Sequence, residues 1–154
     1  MKALPALCTF LIVALIASTL VWREAAAFHP SIYVPRVPED ELEKARETES
    51  PFPPRQEYVD KGAKIYYGKG ECVTCHSNDG TGVRLPGHQP RNFTNAKWQD
   101  TRTDGELMWV LKNGSPGTGM PVRVGRVITE EEGWWVIQFI RTFRGQGKNK
   151  DHDK

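Results

Sequence analysis

The chain is poor in cysteine, with three in 154 residues, and two of these stand three positions apart. Cys8, the third, lies early in an apolar run with no small residue before it to mark a lipid-modified site. It reads as an ordinary apolar position, so no structural disulfide is available. Strong charge of either sign is also missing. Beyond residues 1–27, 21 basic side chains less Lys2 and Arg23 face 19 acidic ones less Glu24, a balance of +1. No strong steering field follows from that balance. With no basic patch and no phosphate loop, nucleic acid is excluded as a partner. No internal repeat is present.

What the chain does have is Cys72-Val73-Thr74-Cys75-His76, the C-x-x-C-H spacing of covalent haem c attachment. Each thiol can add to one vinyl group of a single haem, and the adjacent histidine is then held beneath the iron as its proximal ligand. A zinc site would need two more Cys or His at a matching spacing, and a thioredoxin-like motif would need a βαβ context. The rest of the chain supplies neither.

Around the motif the apolar pattern is helical. Residues 58–70 read as a short helix with Val59, Ala63, Tyr66 and Tyr67 at helical intervals, breaking at a glycine pair that delivers the chain to Cys72. Residues 130–143 read as a second helix with Thr129 as N-cap, acids in its first turn and a Trp135, Phe139, Phe143 stripe. Residues 104–114 form a third, closed by Asn113-Gly114. It leads into Ser115-Pro116-Gly117-Thr118-Gly119-Met120-Pro121, a loop whose glycines and prolines forbid regular structure. A methionine in such a loop suits a ligand better than a core. Its thioether is soft and uncharged, and His/Met pairs hold iron in electron-transfer haem proteins. Met120 is therefore the expected sixth ligand. Its rivals are Met108, which reads as core filler on a helix, and the loop histidine His88. His29 and His152 read as solvated.

These features resemble a class I c-type cytochrome of the small bacterial kind. The resemblance rests on Gly62 to Tyr66, Cys72 to His76, Pro90-Arg91-Asn92-Phe93, Trp98, the Glu106 to Gly114 helix, Gly119-Met120-Pro121 and Trp135 to Phe139, covering about residues 55–145. It implies an all-α fold of about three to four helices around one covalently bound haem. The first and last helices would cross near Gly62 and Tyr66, with Phe139 in the contact. It further implies that a proline carbonyl, of Pro86 or Pro90, accepts the Nδ1 hydrogen of His76, and that Arg91 and Trp98 suit hydrogen bonds to haem propionates.

The N-terminus carries no charge from Ala3 to Trp22, which directs the chain to a membrane. Ala25-Ala26-Ala27 satisfies a signal-peptidase site before Phe28, but an apolar run of this length, rising ~1.5 Å per residue, would also cross a ~30 Å hydrocarbon core. Retention as an N-terminal hydrophobic helix is the favoured reading. The expected organisation is a signal peptide or anchor at 1–27, a Pro-rich and charged linker at 28–54, a haem domain at 55–145 and a polar tail at 146–154. Within the linker, residues 39–47 could form a charged helix behind Pro38. Its plain role is a solvated spacer, and Ile32 to Pro35 could lie as an arm on a partner. The expected function is one-electron transfer by a single haem c on the periplasmic side of a bacterial inner membrane. The partners would be redox proteins, and the membrane itself through residues 3–22 if uncleaved. The alternative is a dedicated haem subunit of a respiratory, photosynthetic or dehydrogenase complex. A different class is a haem enzyme or gas sensor whose Met120 dissociates, with His88 its only nearby acid or base.

Overall fold

The computed structural model describes residues 34–83 and 90–147. Its helices among these residues are α1 (Glu39–Glu47), α2 (Gln56–Tyr67), α3 (Val73–His76), α4 (Ala96–Thr101), α5 (Asp104–Asn113) and α6 (Glu130–Thr142). The described residues form no strand, only a single bridge between Val124 and Ile128, so the all-α expectation holds for them. The N-terminal hydrophobic helix expected over residues 3–22 lies outside the described residues. Among those described, no helix is long and apolar enough to cross a membrane.

Helices α2 and α6 form the main crossing. A Cβ on Gly62 would collide with the Trp135 carbonyl and reach the Phe139 Cβ, so the absent side chain is what lets the two backbones meet. One turn on, Tyr66 is fully buried and meets Phe139 edge-on at 5.2 Å between ring centroids. The first turn of α6 is closed by a capping box: Thr129 Oγ1 accepts from the Glu132 amide, and Glu132 accepts from the Thr129 amide. Helix α5 starts with the same device at Thr103 and Glu106. It stops at Gly114, whose φ of 74° suits a residue without Cβ.

The helix count exceeds the three to four expected, and two of the additions were not legible. Helix α3 is the haem motif itself, four residues long. Helix α4 has six residues and is capped by Asn95, whose side chain accepts from the Trp98 amide. Segments this short carry too few apolar repeats to show a period.

The segment expected as a solvated spacer is instead packed. Val37 and Ala45 are buried, and a Cβ on Gly105 would strike the carbonyls of Ala45 and Thr48, so α1 lies directly on the start of α5. Trp109 Nε1 donates to Glu41 at 2.8 Å. Farther on, Gln138 Nε2 donates to the carbonyls of Phe52 and Pro53, and Phe52 packs edge-on against Tyr58 and Trp135. The folded unit therefore begins well before residue 55. Of the expected arm, Val34 is exposed, while Ile32 and Tyr33 lie outside the described residues. At the other end Gly145 N donates to the Thr94 carbonyl, which keeps the chain attached past the end of α6.

Candidate functional site

Helix α3 places both thiols and the imidazole on one short turn. The His76 amide donates to the Cys72 carbonyl at 2.9 Å. Two non-glycine residues with left-handed φ bracket this turn, Glu71 at 51° and Ser77 at 65°, and no other non-glycine residue does so among the described residues. Such conformations cost of order 1–3 kcal/mol and persist only where the surroundings fix them. Here Arg123 NH1 bonds Glu71 at 3.2 Å, and the buried Tyr66 hydroxyl donates to the Ser77 carbonyl at 2.8 Å. The motif is thus held from outside at both ends.

His76 is buried, 8% exposed, and its Nδ1 lies 3.1 Å from the Arg91 carbonyl. A carbonyl oxygen can only accept, so Nδ1 carries the proton and Nε2 presents its lone pair. Burial drives the imidazole pKa down to about 4, against the opposing pull of the Arg91 carbonyl and with a smaller push from Arg123. At neutral pH the ring is therefore a neutral donor with one nitrogen available, as metal ligation requires. The accepting carbonyl was expected from Pro86 or Pro90. Pro86 lies outside the described residues, as does His88. The Pro90 carbonyl instead lies against Gly82, where a Cβ would come within 2.9 Å of it, so Arg91, the next residue, supplies the acceptor. Phe93 stacks on the imidazole at 4.2 Å and 15°.

Cys72 and Cys75 are free thiols, each half-buried. Burial pushes the Cys72 thiol up to about 11, partly offset by Arg123, so it is protonated at neutral pH. No group of three or more His, Cys, Asp or Glu side chains converges as a metal site among the described residues.

Met120 is held by its backbone. Its carbonyl accepts from Ser115 N at 3.0 Å and its amide donates to Thr118 Oγ1 at 3.2 Å. Gly114 lies close under that carbonyl, where a Cβ would stand 2.9 Å away. The side chain is half-buried against the core. Met108 differs: it is 2% exposed, and its methyl and sulfur fill the space beside Gly133, as expected of core filler. Ser115 Oγ in the Met120 loop is buried with no hydrogen-bond partner. Arg91 and Trp98 are brought together, the guanidinium 5.9 Å from the ring centroid, with Trp98 buried against Phe93.

Two thiols and a neutral imidazole on one turn, and a separate loop that tethers a thioether and holds an orphaned buried hydroxyl, fit a covalently attached haem. Sequence reasoning missed Arg123 and Ser115. Arg123 could have been suspected from its place three residues beyond Met120, whereas nothing in the sequence marks Ser115.

No curated protein matches the chain. Among solved structures, a chain of the Kuenenia stuttgartiensis reducing HAO-like protein complex is similar, with a TM-score of 0.51 and 23% identity. The match covers 68% of this chain and 54% of that one, so this chain spans about half the length of that relative. The likeness shows a shared fold. The family described as cytochrome c oxidase, cbb3-type, subunit III matches residues 57–140, from the first turn of α2 through the haem motif and Met120 to α6. The chain belongs to that family, and it is a c-type cytochrome.

Proposed function

We propose that this cytochrome is a monohaem electron carrier acting outside the cytoplasm, with Cys72 and Cys75 as thioether anchors and His76 and Met120 as axial ligands. Membership of the family implies a covalently bound c-type haem and electron transfer. The finer assignment is carried by one observation: His76 is a buried, neutral imidazole whose Nδ1 is tied to the Arg91 carbonyl. When bound, the haem iron supplies one-electron exchange between Fe(II) and Fe(III). The chain's own part is to keep both ligands in place through that exchange. The Arg91 carbonyl and the Phe93 ring fix the imidazole plane, and Ser115 and Thr118 fix the Met120 backbone. The core around Tyr66, Ile137 and Met108 excludes water. Arg91 and Trp98 stand together as the polar pair suited to the propionates. Acid denaturation followed by organic extraction tests the attachment. Haem absorbance should stay with the polypeptide, and release into the organic phase would sink the assignment.

A second reading, a dedicated subunit of a membrane oxidoreductase complex, is favoured by the family description and by the apolar run at residues 3–22. Purification from native membranes separates the two. A free carrier comes away alone, whereas a subunit brings stoichiometric partners.

A further inference from the structure

The proximal histidine is positioned by a backbone segment that is itself held from the protein interior. Residues 91–93 contribute twice to His76: the Arg91 carbonyl accepts from Nδ1, and the Phe93 ring lies flat on the imidazole. The far end of this cradle is tied down at both backbone atoms of Phe93. Its amide donates to the Gly80 carbonyl at 2.7 Å, and its carbonyl accepts from Gln99 Nε2 at 2.8 Å. Gln99 is 3% exposed, and the same Nε2 donates to the Ile140 carbonyl at 3.0 Å.

The orientation of the Gln99 amide is not free. Arg141 NH1 bonds Gln99 Oε1 at 2.7 Å, and a guanidinium has only donors, so the oxygen must face it. Both amide hydrogens then face the two carbonyls. Arg141 is fixed in turn by Asp104 at 2.7 Å and by the Gln99 and Arg102 carbonyls. A buried amide with every bond made is a rigid strut, and breaking one of its bonds leaves a polar group unpaired.

We infer that Gln99, locked by Arg141, is a positioning residue for the axial histidine, acting through the Phe93 carbonyl to set the plane of the His76 ring. This rests on the proposal that His76 is the proximal ligand. Ring orientation and ligand basicity are the properties that partners beyond a metal's direct ligands tune. A role limited to stability would leave them unchanged.

The test uses the haem-loaded full chain and the electron paramagnetic resonance of its ferric form, whose g values follow the orientation of the axial imidazole. Gln99→Leu removes all three amide bonds. Gln99→Glu keeps the size and the Arg141 acceptor but removes the donors to Phe93 and Ile140. Ile140→Val trims the neighbouring core without touching any of these bonds and serves as the control for lost packing. Both Gln99 variants should keep covalent haem and a six-coordinate low-spin optical spectrum while their g values shift and broaden. Ile140→Val should keep the wild-type g values. Wild-type g values in both Gln99 variants would overturn the inference, as would an equal shift in Ile140→Val. If Gln99→Leu fails to fold, Gln99→Glu decides alone by the same criterion. A six-coordinate spectrum that survives His76→Ala unchanged would overturn the ligand assignment instead, a result distinct from either outcome at Gln99.

Discussion

At His76 one hydrogen bond decides which nitrogen faces outward, and its acceptor is a backbone carbonyl. The cysteines and the histidine were legible because their chemistry resides in side chains at a fixed spacing. The acceptor was not, because every residue carries a carbonyl and only the folded path of residues 90–93 chooses Arg91 over Pro90. The thiols give the first prediction. Each thioether needs its own sulfur, so Cys72→Ala or Cys75→Ala should leave haem on a single bond, and the double variant should release it on denaturation. His76→Ala should leave an attached haem that lacks its low-spin spectrum. Haem staining of denaturing gels beside optical spectra reads both effects. Full retention of haem by the double variant would contradict the assigned chemistry.

Helices meet in this protein where glycine removes a side chain, at Gly62 between α2 and α6 and at Gly105 between α1 and α5. In an open helix Gly→Ala stabilises by up to ~1 kcal/mol. At Gly105 the atoms in the way are the backbone carbonyls of Ala45 and Thr48, which cannot swing aside. Gly105→Ala should therefore destabilise, by about 1–3 kcal/mol as an overpacked contact, and denaturant midpoints give the sign directly. The capping box of α6 adds a pH dependence. Burial tends to raise the Glu132 pKa, but Lys69 at 2.6 Å and the bonds to Thr129 outweigh it and hold the carboxyl below its ordinary 4.5. A depressed carboxylate stabilises the fold above its unfolded value and loses that contribution as pH falls through the folded one. Wild type should thus be more stable than Glu132→Gln at neutral pH, with the gap closing below about pH 4.5 in thermal melts. A gap that does not narrow as the pH falls below about 4.5 would show that the carboxylate charge is not the cause. The three long helices of the haem domain were readable from their apolar period, as were the Thr129 cap of α6 and the Gly114 stop of α5, whereas the Thr103 cap of α5 and the start of α2 at Gln56 were not. The packing of α1 was not, since its polar composition says solvent and only Gly105 on a distant helix makes room for it.

The whole molecule is larger than the family match, which begins at residue 57. Val37, Ala45 and Phe52 join its apolar packing, and full burial of a valine alone is worth about 1.5–3 kcal/mol. A chain shortened to residues 55–154 should lose several kcal/mol relative to one that begins at residue 34. Equal midpoints for the two would return residues 34–54 to the status of a spacer. The apolar run at residues 3–22 makes a separate prediction. A retained anchor gives a mature mass that includes Met1 or Lys2 and a product that needs detergent, whereas cleavage gives an N-terminus at Phe28 and free solubility.

The central claim is that Met120 and His76 hold one haem iron between them for electron transfer. The near-infrared spectrum of the ferric full chain tests it most directly, because a methionine sulfur bound to ferric haem gives a weak far-red charge-transfer band. The wild type should show that band. Met120→Ala should lose it and bind cyanide readily, while Met108→Leu should keep it, since that volume-conserving exchange in the core costs below ~1.5 kcal/mol. A band that is absent from the wild type, or that survives Met120→Ala and vanishes in Met108→Leu, would contradict the assignment and leave the iron open to the chemistry of an enzyme or a gas sensor.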